Sequence, residues 1–402
     1  MTNMQIKPAD RIAPFKPYFF ATLNQKISQL KTNGVDVIRI DMGSPDLPPT
    51  DEIIEEMIAA ARRPDMHGYS PMGGTLEFRK AATLYYLRRF GVELDPQTEV
   101  LGLLGSKEGV FHLGQVLLNP GDLALVPDPG YPVYRASCEI AGAEVFTMPL
   151  LEKNGFLLDL AAIPTDVADR AKLMWLNYPN NPTGAVASIA FFQDVIAFAR
   201  EHSIFVAHDN PYADVCFDGY VAPSLLEVPG AREICVEFNS LSKTFNMAGW
   251  RVGMAVGNSQ ILGYLHTYKS QLDSSTFTPL LTAGAKALTG DQEWIQERNQ
   301  IYLERRDIVV SALKKAGLRV TTPPAAIYVW ARIPSGEEST AFCTRLLEET
   351  GVSVTPGTVY GEYGEGYLRI SLGTETSRMK EAMRRLVDWM KGRNASFEWQ
   401  KS

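Results

Sequence analysis

Cysteine is scarce. Four residues, Cys138, Cys216, Cys235 and Cys343, lie scattered along 402 positions. None forms a C-x-x-C pair, so neither a zinc ribbon nor a redox motif is indicated. They read as buried free thiols of a protein kept in a reducing cytoplasm. Long apolar runs are missing as well, which argues against a membrane span. The opening stretch, MTNMQIKPADRIAPFKP, has no apolar h-region and no small-residue cleavage site, so a secretory leader is not expected. Nor is there an excess of basic charge: 39 Lys and Arg face 46 Asp and Glu, for a net charge of −7. A general nucleic-acid partner is therefore disfavoured. No internal repeat, low-complexity tract or charge block interrupts the chain.

What is present is the mixture of an ordinary globular protein, 45% hydrophobic and 21% charged. The length exceeds one compact core and points to two domains. Short apolar runs alternate with amphipathic stretches, which predicts an α/β fold: a mostly parallel sheet with helices on both faces. The expected strands are Leu123–Val126, Glu144–Met148, Lys172–Leu176, Ile204–Ala207 and Ile234–Phe238. A helix is expected over Ile189–Glu201. From about Asp291 the texture changes to a long charged helix, Glu293–Ala316, then a strand–helix–strand–helix tail. The expected division is an N-terminal arm (1–45) packing with a small C-terminal α+β domain (291–402), and a large domain (46–290) between them.

Three of the strands end in polar motifs, and ligands gather at the carboxyl ends of strands in such sheets. After the last comes Ser240-Leu241-Ser242-Lys243, with Arg251 eight positions beyond the lysine. Hydroxyls and a guanidinium fork suit a phosphate dianion. A lysine dehydrated beside another cation loses basicity and becomes a neutral nucleophile for an aldehyde. A bare S-x-S-K string is more at home in a solvated loop, and the longer run to Arg251 shifts the reading toward the phosphate site. Asp209 closes the previous strand, where a carboxylate either faces a ligand or caps a turn; Tyr212 follows three residues later. Asn181 lies in the turn Asn177–Gly184, whose Asn-Pro and Thr-Gly pairs are also ordinary turn chemistry. Gly105-Ser106-Lys107 precedes a helical stretch from Val110 and offers free N–H groups to an anion. Tyr131, in a Pro-Gly-Tyr-Pro turn, has a face for stacking on a flat ring. Arg369 alternates with Leu368 and Ile370 on a strand, so it points away from their apolar face.

Taken in order, these pieces resemble the class I/II aminotransferases of the fold-type I pyridoxal-phosphate family. The similarity runs from about Ile38 to the terminal helix. The stretch from Phe217 to Asn258 looks closest to the LL-diaminopimelate aminotransferase branch. The resemblance implies pyridoxal 5′-phosphate as cofactor, with Lys243 as the lysine that carries it and shuttles a proton. It implies Asp209 as partner of the pyridine nitrogen and Tyr212 and Asn181 as ligands of O3′. Ser106, Lys107, Ser240 and Arg251 fall at phosphate-cup positions, with Ser242 a weaker one, and Tyr131 at the stacking position. Arg369 falls at the carboxylate clamp, and Gly43 at a position whose backbone closes over the substrate. Tyr69 matches a tyrosine that reaches a neighbouring subunit's phosphate, which implies a homodimer with shared sites. The sequence departs from the pattern at Pro211, at Asn239 where a histidine is expected, and at Ala325-Ala326-Ile327-Tyr328, an atypical form of the usual aromatic pair.

The implied activity moves an amino group from an L-amino acid to a 2-oxo acid such as 2-oxoglutarate. LL-diaminopimelate is one candidate donor. A carbon–sulfur β-lyase or another amino-acid enzyme on the same scaffold is the alternative, since fold does not fix chemistry. A cofactor-binding regulator would need a DNA-binding domain, and too few residues precede Ile38 to build one.

Overall fold

Two sheets dominate the computed structural model, which describes residues 7–12, 15, 19–334 and 336–399, with only the backbone for 394–399. The N-terminal reading above rests partly on residues 1–6, 13–14 and 16–18, which lie outside the described ones. A short first strand, β1 (Ile38–Arg39), belongs to neither of the two sheets. The large sheet comprises β2 (Val100–Leu103), β3 (Leu123–Asp128), β4 (Glu144–Pro149), β5 (Ala171–Leu176), β6 (Phe205–Asp209), β7 (Cys235–Ser240) and β8 (Gly253–Gly257). Their order is β2-β8-β7-β6-β5-β3-β4. The pairs among β3 to β7 are parallel, whereas β8 runs antiparallel to both β7 and β2. Two reversals restore the direction, so β2, β5, β6 and β7 all end at one edge.

The strands are apolar on both faces, as a sheet covered twice requires. In β5, Leu173 and Trp175 enter one hydrophobic core while Met174 and Leu176 enter the other. Helices cover each side, among them Ser106–Leu117 on the first and Ile189–Glu201 on the second.

A third core belongs to the C-terminal part. Here β9 (Arg319–Val320), β10 (Tyr328–Arg332), β12 (Thr355–Pro356) and β13 (Tyr367–Ser371) form an antiparallel sheet in the order β12-β13-β10-β9. The remaining strand, β11 (Val352–Ser353), pairs in parallel with β1. Ile38 and Ile40 are buried with Val352, Leu368 and Ile370, so the N-terminal segment packs into this core. Residues 41–43 then cross toward the large sheet.

The structure departs from the sequence reading in several places. Strands β2 and β8 were not anticipated. Ile234 ends a one-turn helix (Ala231–Ile234) instead of opening a strand. The helix expected from Val110 starts at Ser106, directly after Gly105 in the left-handed region (φ 79°).

Candidate active site

The ends of β2, β5, β6 and β7, with residues from the small domain, enclose a cavity of about 570 Å³. Every expected site residue except Tyr69 lines it: Gly43, Ser106, Lys107, Tyr131, Asn181, Asp209, Tyr212, Ser240, Lys243, Arg251 and Arg369. Tyr69 stands apart, 91% exposed.

Asp209 is the last residue of β6 and is buried. The Tyr134 hydroxyl donates to its Oδ2 at 2.7 Å, while Oδ1 is buried with no partner among the described residues. Burial pushes the carboxyl up to about 6, against the pull of the Tyr134 bond. Asn177 donates to the Asp209 carbonyl at 2.7 Å. Behind it, the fully buried His208 and Glu237 lie 2.8 Å apart and link β6 to β7.

Lys243 sits on a one-turn helix, Leu241–Thr244, that follows β7 directly. Its amine donates to the Gly43 carbonyl. Desolvation holds that amine far below its ordinary value, at about 7, and the cations of Arg369 and Arg251 add to the effect. Arg251 reaches back over the end of β2, donating to the carbonyls of Ala248 at 3.0 Å and Leu104 at 3.3 Å. A Cβ on Gly105 would lie 2.3 Å from the Arg251 guanidinium, so the glycine makes room for the cation beside the helix N-terminus at Ser106. Lys107 places its ammonium 5.6 Å from the Tyr131 ring centre, and burial followed by repulsion from Arg251 lowers its pKa.

On the opposite wall, Arg369 is 3% exposed. It donates to Asn181 Oδ1 at 2.9 Å and to the Asp41 carbonyl at 2.7 Å, and its Nε has no partner among the described residues. Tyr212 shares a 2.9 Å hydrogen bond with Tyr328. Tyr134 and Tyr328 are among the cavity residues that the sequence reading did not assign. Tyr134 follows Tyr131 by three positions, in the first turn of the Val133–Ile140 helix, with the two ring centres 5.9 Å apart. Tyr328 was noticed only as part of an atypical aromatic pair.

The family model for aminotransferase class I and II matches residues 35–386. This chain belongs to the class I and II aminotransferases. It is 48% identical over 381 residues to the LL-diaminopimelate aminotransferase of Moorella thermoacetica, covering 95% of this chain and 98% of that one. It is 50% identical to the enzyme of the same name from Desulforudis audaxviator, with the same coverage. Among solved structures, substrate-bound BacF from Bacillus subtilis superposes with a TM-score of 0.92 at 38% identity, covering 96% of this chain and 98% of that one.

The aminotransferase uses pyridoxal 5′-phosphate, and its cavity suits that molecule. A buried carboxylate oxygen without a partner, on Asp209, matches a ring nitrogen that must keep its proton. A cradle open only to a Cβ-free residue, at Gly105, lies between a helix N-terminus and a guanidinium. An amine held at about 7 suits capture of an aldehyde. The four cysteines are free and three are buried, Cys216 less so. Among the described residues no helix is long and apolar enough to cross a membrane.

Proposed function

We propose that this aminotransferase takes the amino group of LL-diaminopimelate and passes it to 2-oxoglutarate. One observation carries the site assignment: a near-neutral amine at Lys243, a partnerless carboxylate oxygen at Asp209 and a buried guanidinium at Arg369 share one cavity. The names of the two relatives, at 48% and 50% identity, support the donor.

When bound, pyridoxal phosphate supplies an aldehyde for the substrate amine and a ring that withdraws electrons from Cα. Asp209 keeps a proton on the ring nitrogen through its free Oδ1. Tyr212 and Asn181 hold the ring oxygen O3′, and Tyr131 covers one face of the ring. The N–H groups at the start of the 106–117 helix, the Ser106 and Ser240 hydroxyls, Lys107 and Arg251 hold the phosphate. Arg369 grips the α-carboxylate with a bidentate fork, exchanging its contact with Asn181 for the ligand, and the Gly43 backbone closes over the substrate. Lys243, released from its covalent task, moves a proton away from the substrate Cα as a general base.

We read the enzyme as a cytoplasmic homodimer in which Tyr69 reaches the partner's phosphate site, a reading that its 91% exposure supports. Sedimentation equilibrium tests the assembly. A donor–acceptor screen tests the substrate, using LL-diaminopimelate, glutamate, alanine, aspartate and aromatic amino acids. LL-diaminopimelate with 2-oxoglutarate should give the highest kcat/KM. A rate with aromatic donors alone would defeat the diaminopimelate reading and leave the aminotransferase intact.

A further inference from the structure

Tyr328 occupies a position that no role assigned so far explains. It opens β10, is 2% exposed and lines the cavity. Its hydroxyl is 2.9 Å from that of Tyr212, with the two rings edge to face at 5.5 Å and 77°. Its ring centre is 4.2 Å from the Arg369 guanidinium carbon. Pairing of β10 with β13 sets this geometry: Trp330 stands opposite Arg369 and Tyr328 opposite Ser371, so Tyr328 and Arg369 are diagonal neighbours on one face. Gly43 closes the third side, since a Cβ there would fall 2.3 Å from the Tyr328 hydroxyl.

We propose that Tyr328 is a positioning residue with two separable tasks: its hydroxyl aims the Tyr212 phenol, and its ring backs the Arg369 fork. At this distance either hydroxyl can donate; we take Tyr328 as the donor, because the Arg369 guanidinium lies over its ring. Tyr212 then accepts from Tyr328 and keeps its own proton for O3′ of the cofactor. A phenol that accepts one hydrogen bond donates the next more strongly. The ring task is simpler: the flat face of Tyr328 holds the guanidinium plane where the substrate carboxylate arrives. The hydroxyl task rests on the reading that Tyr212 donates to O3′, and the ring task on Arg369 as the carboxylate clamp.

The test uses the holoenzyme and separates hydroxyl from ring. The cofactor's absorbance is titrated with pH in wild type, Tyr328→Phe, Tyr328→Leu and Tyr212→Phe, and KM for the amino donor is measured alongside. A hydrogen bond to the ionised O3′ favours that form, so weakening it raises the chromophore's apparent pKa. Tyr328→Phe should raise it by roughly half a unit, less than Tyr212→Phe does, with KM changed by less than about twofold. Tyr328→Leu should show the same spectral shift and a KM higher by about tenfold, the loss of one desolvated cation–ring contact. A Tyr328→Phe titration identical to wild type, while Tyr212→Phe shifts, overturns the hydroxyl task alone. No shift in Tyr212→Phe removes the Tyr212 reading and the hydroxyl task with it. A wild-type KM in Tyr328→Leu overturns the ring task.

Discussion

The Tyr134 hydroxyl donates a hydrogen bond to Oδ2 of Asp209 at 2.7 Å, and Oδ1 is left as the oxygen without a partner among the described residues. The tyrosine is itself fixed, fully buried and stacked on Trp175 at 5.1 Å. Its bond offsets part of the desolvation that raises the Asp209 carboxyl to about 6. Removing only the hydroxyl, by Tyr134→Phe, keeps the stack and withdraws a hydrogen bond to a charged group, a loss of about 1.5–3 kcal/mol. Cofactor affinity, followed by absorbance on reconstituting apoenzyme, should fall about tenfold or more, and the melting temperature of the apoenzyme should fall as well, because the lost bond is already made there. Equal affinity in the variant and the wild type would contradict this role.

Lys243 should titrate far from an ordinary lysine. Its folded value of about 7 lies below the ordinary 10.5. Between those values the unfolded chain holds the extra proton, so this group makes folding more favourable as pH rises through that window; below about pH 7 its penalty is complete. The same amine is a nucleophile only when neutral. The rate at which apoenzyme captures pyridoxal phosphate should therefore rise to about pH 7–8 and then level off. A rate that keeps climbing toward pH 10 would mean the amine is not desolvated.

Much of this was legible in the sequence because it is local. The 189–201 helix was read to the residue, since Ser188 caps it by accepting from the Phe191 N–H at 3.2 Å and its apolar positions repeat with the helical period. The polar strand ends were legible for the same reason. Strand β2 was not, because Gly102 interrupts a run of only four residues, and β8 begins and ends in glycine. Tyr134 and Tyr328 escaped because their partners are remote: Asp209 lies 75 positions from Tyr134, and Tyr212 lies 116 from Tyr328. Each tyrosine alone reads as a core aromatic, and only the folded sheet supplies its partner.

The covalent and acid–base assignment of Lys243 has a direct test in Lys243→Ala. General acid–base catalysis alone contributes about 10²–10⁴-fold, and the variant also loses the covalent tether. Turnover should drop at least about a thousandfold. The phosphate cup is untouched, so the purified variant should still retain cofactor, seen as an absorbance band altered in position. Wild-type turnover in a preparation free of wild-type enzyme would dismiss the assignment.

Gly43 is held to glycine by space. No left-handed backbone is involved, yet an added Cβ would lie 2.3 Å from the Tyr328 hydroxyl and 3.0 Å from two carbons of its ring. Tyr328 cannot swing away cheaply, because it is tied to Tyr212 and packed on Arg369. The Gly43 carbonyl also accepts from the Lys243 amine, so displacement of this segment reaches the reacting lysine. Gly43→Ala should lower kcat/KM by one to two orders of magnitude, about 1.4–2.7 kcal/mol, with the fold intact. Two residues that clash couple in a double-mutant cycle. Adding Tyr328→Phe removes the hydroxyl contact but leaves the ring contacts, so the double variant should recover part of the loss and not all of it. Strictly additive effects in that cycle would show that the alanine acts elsewhere than on Tyr328.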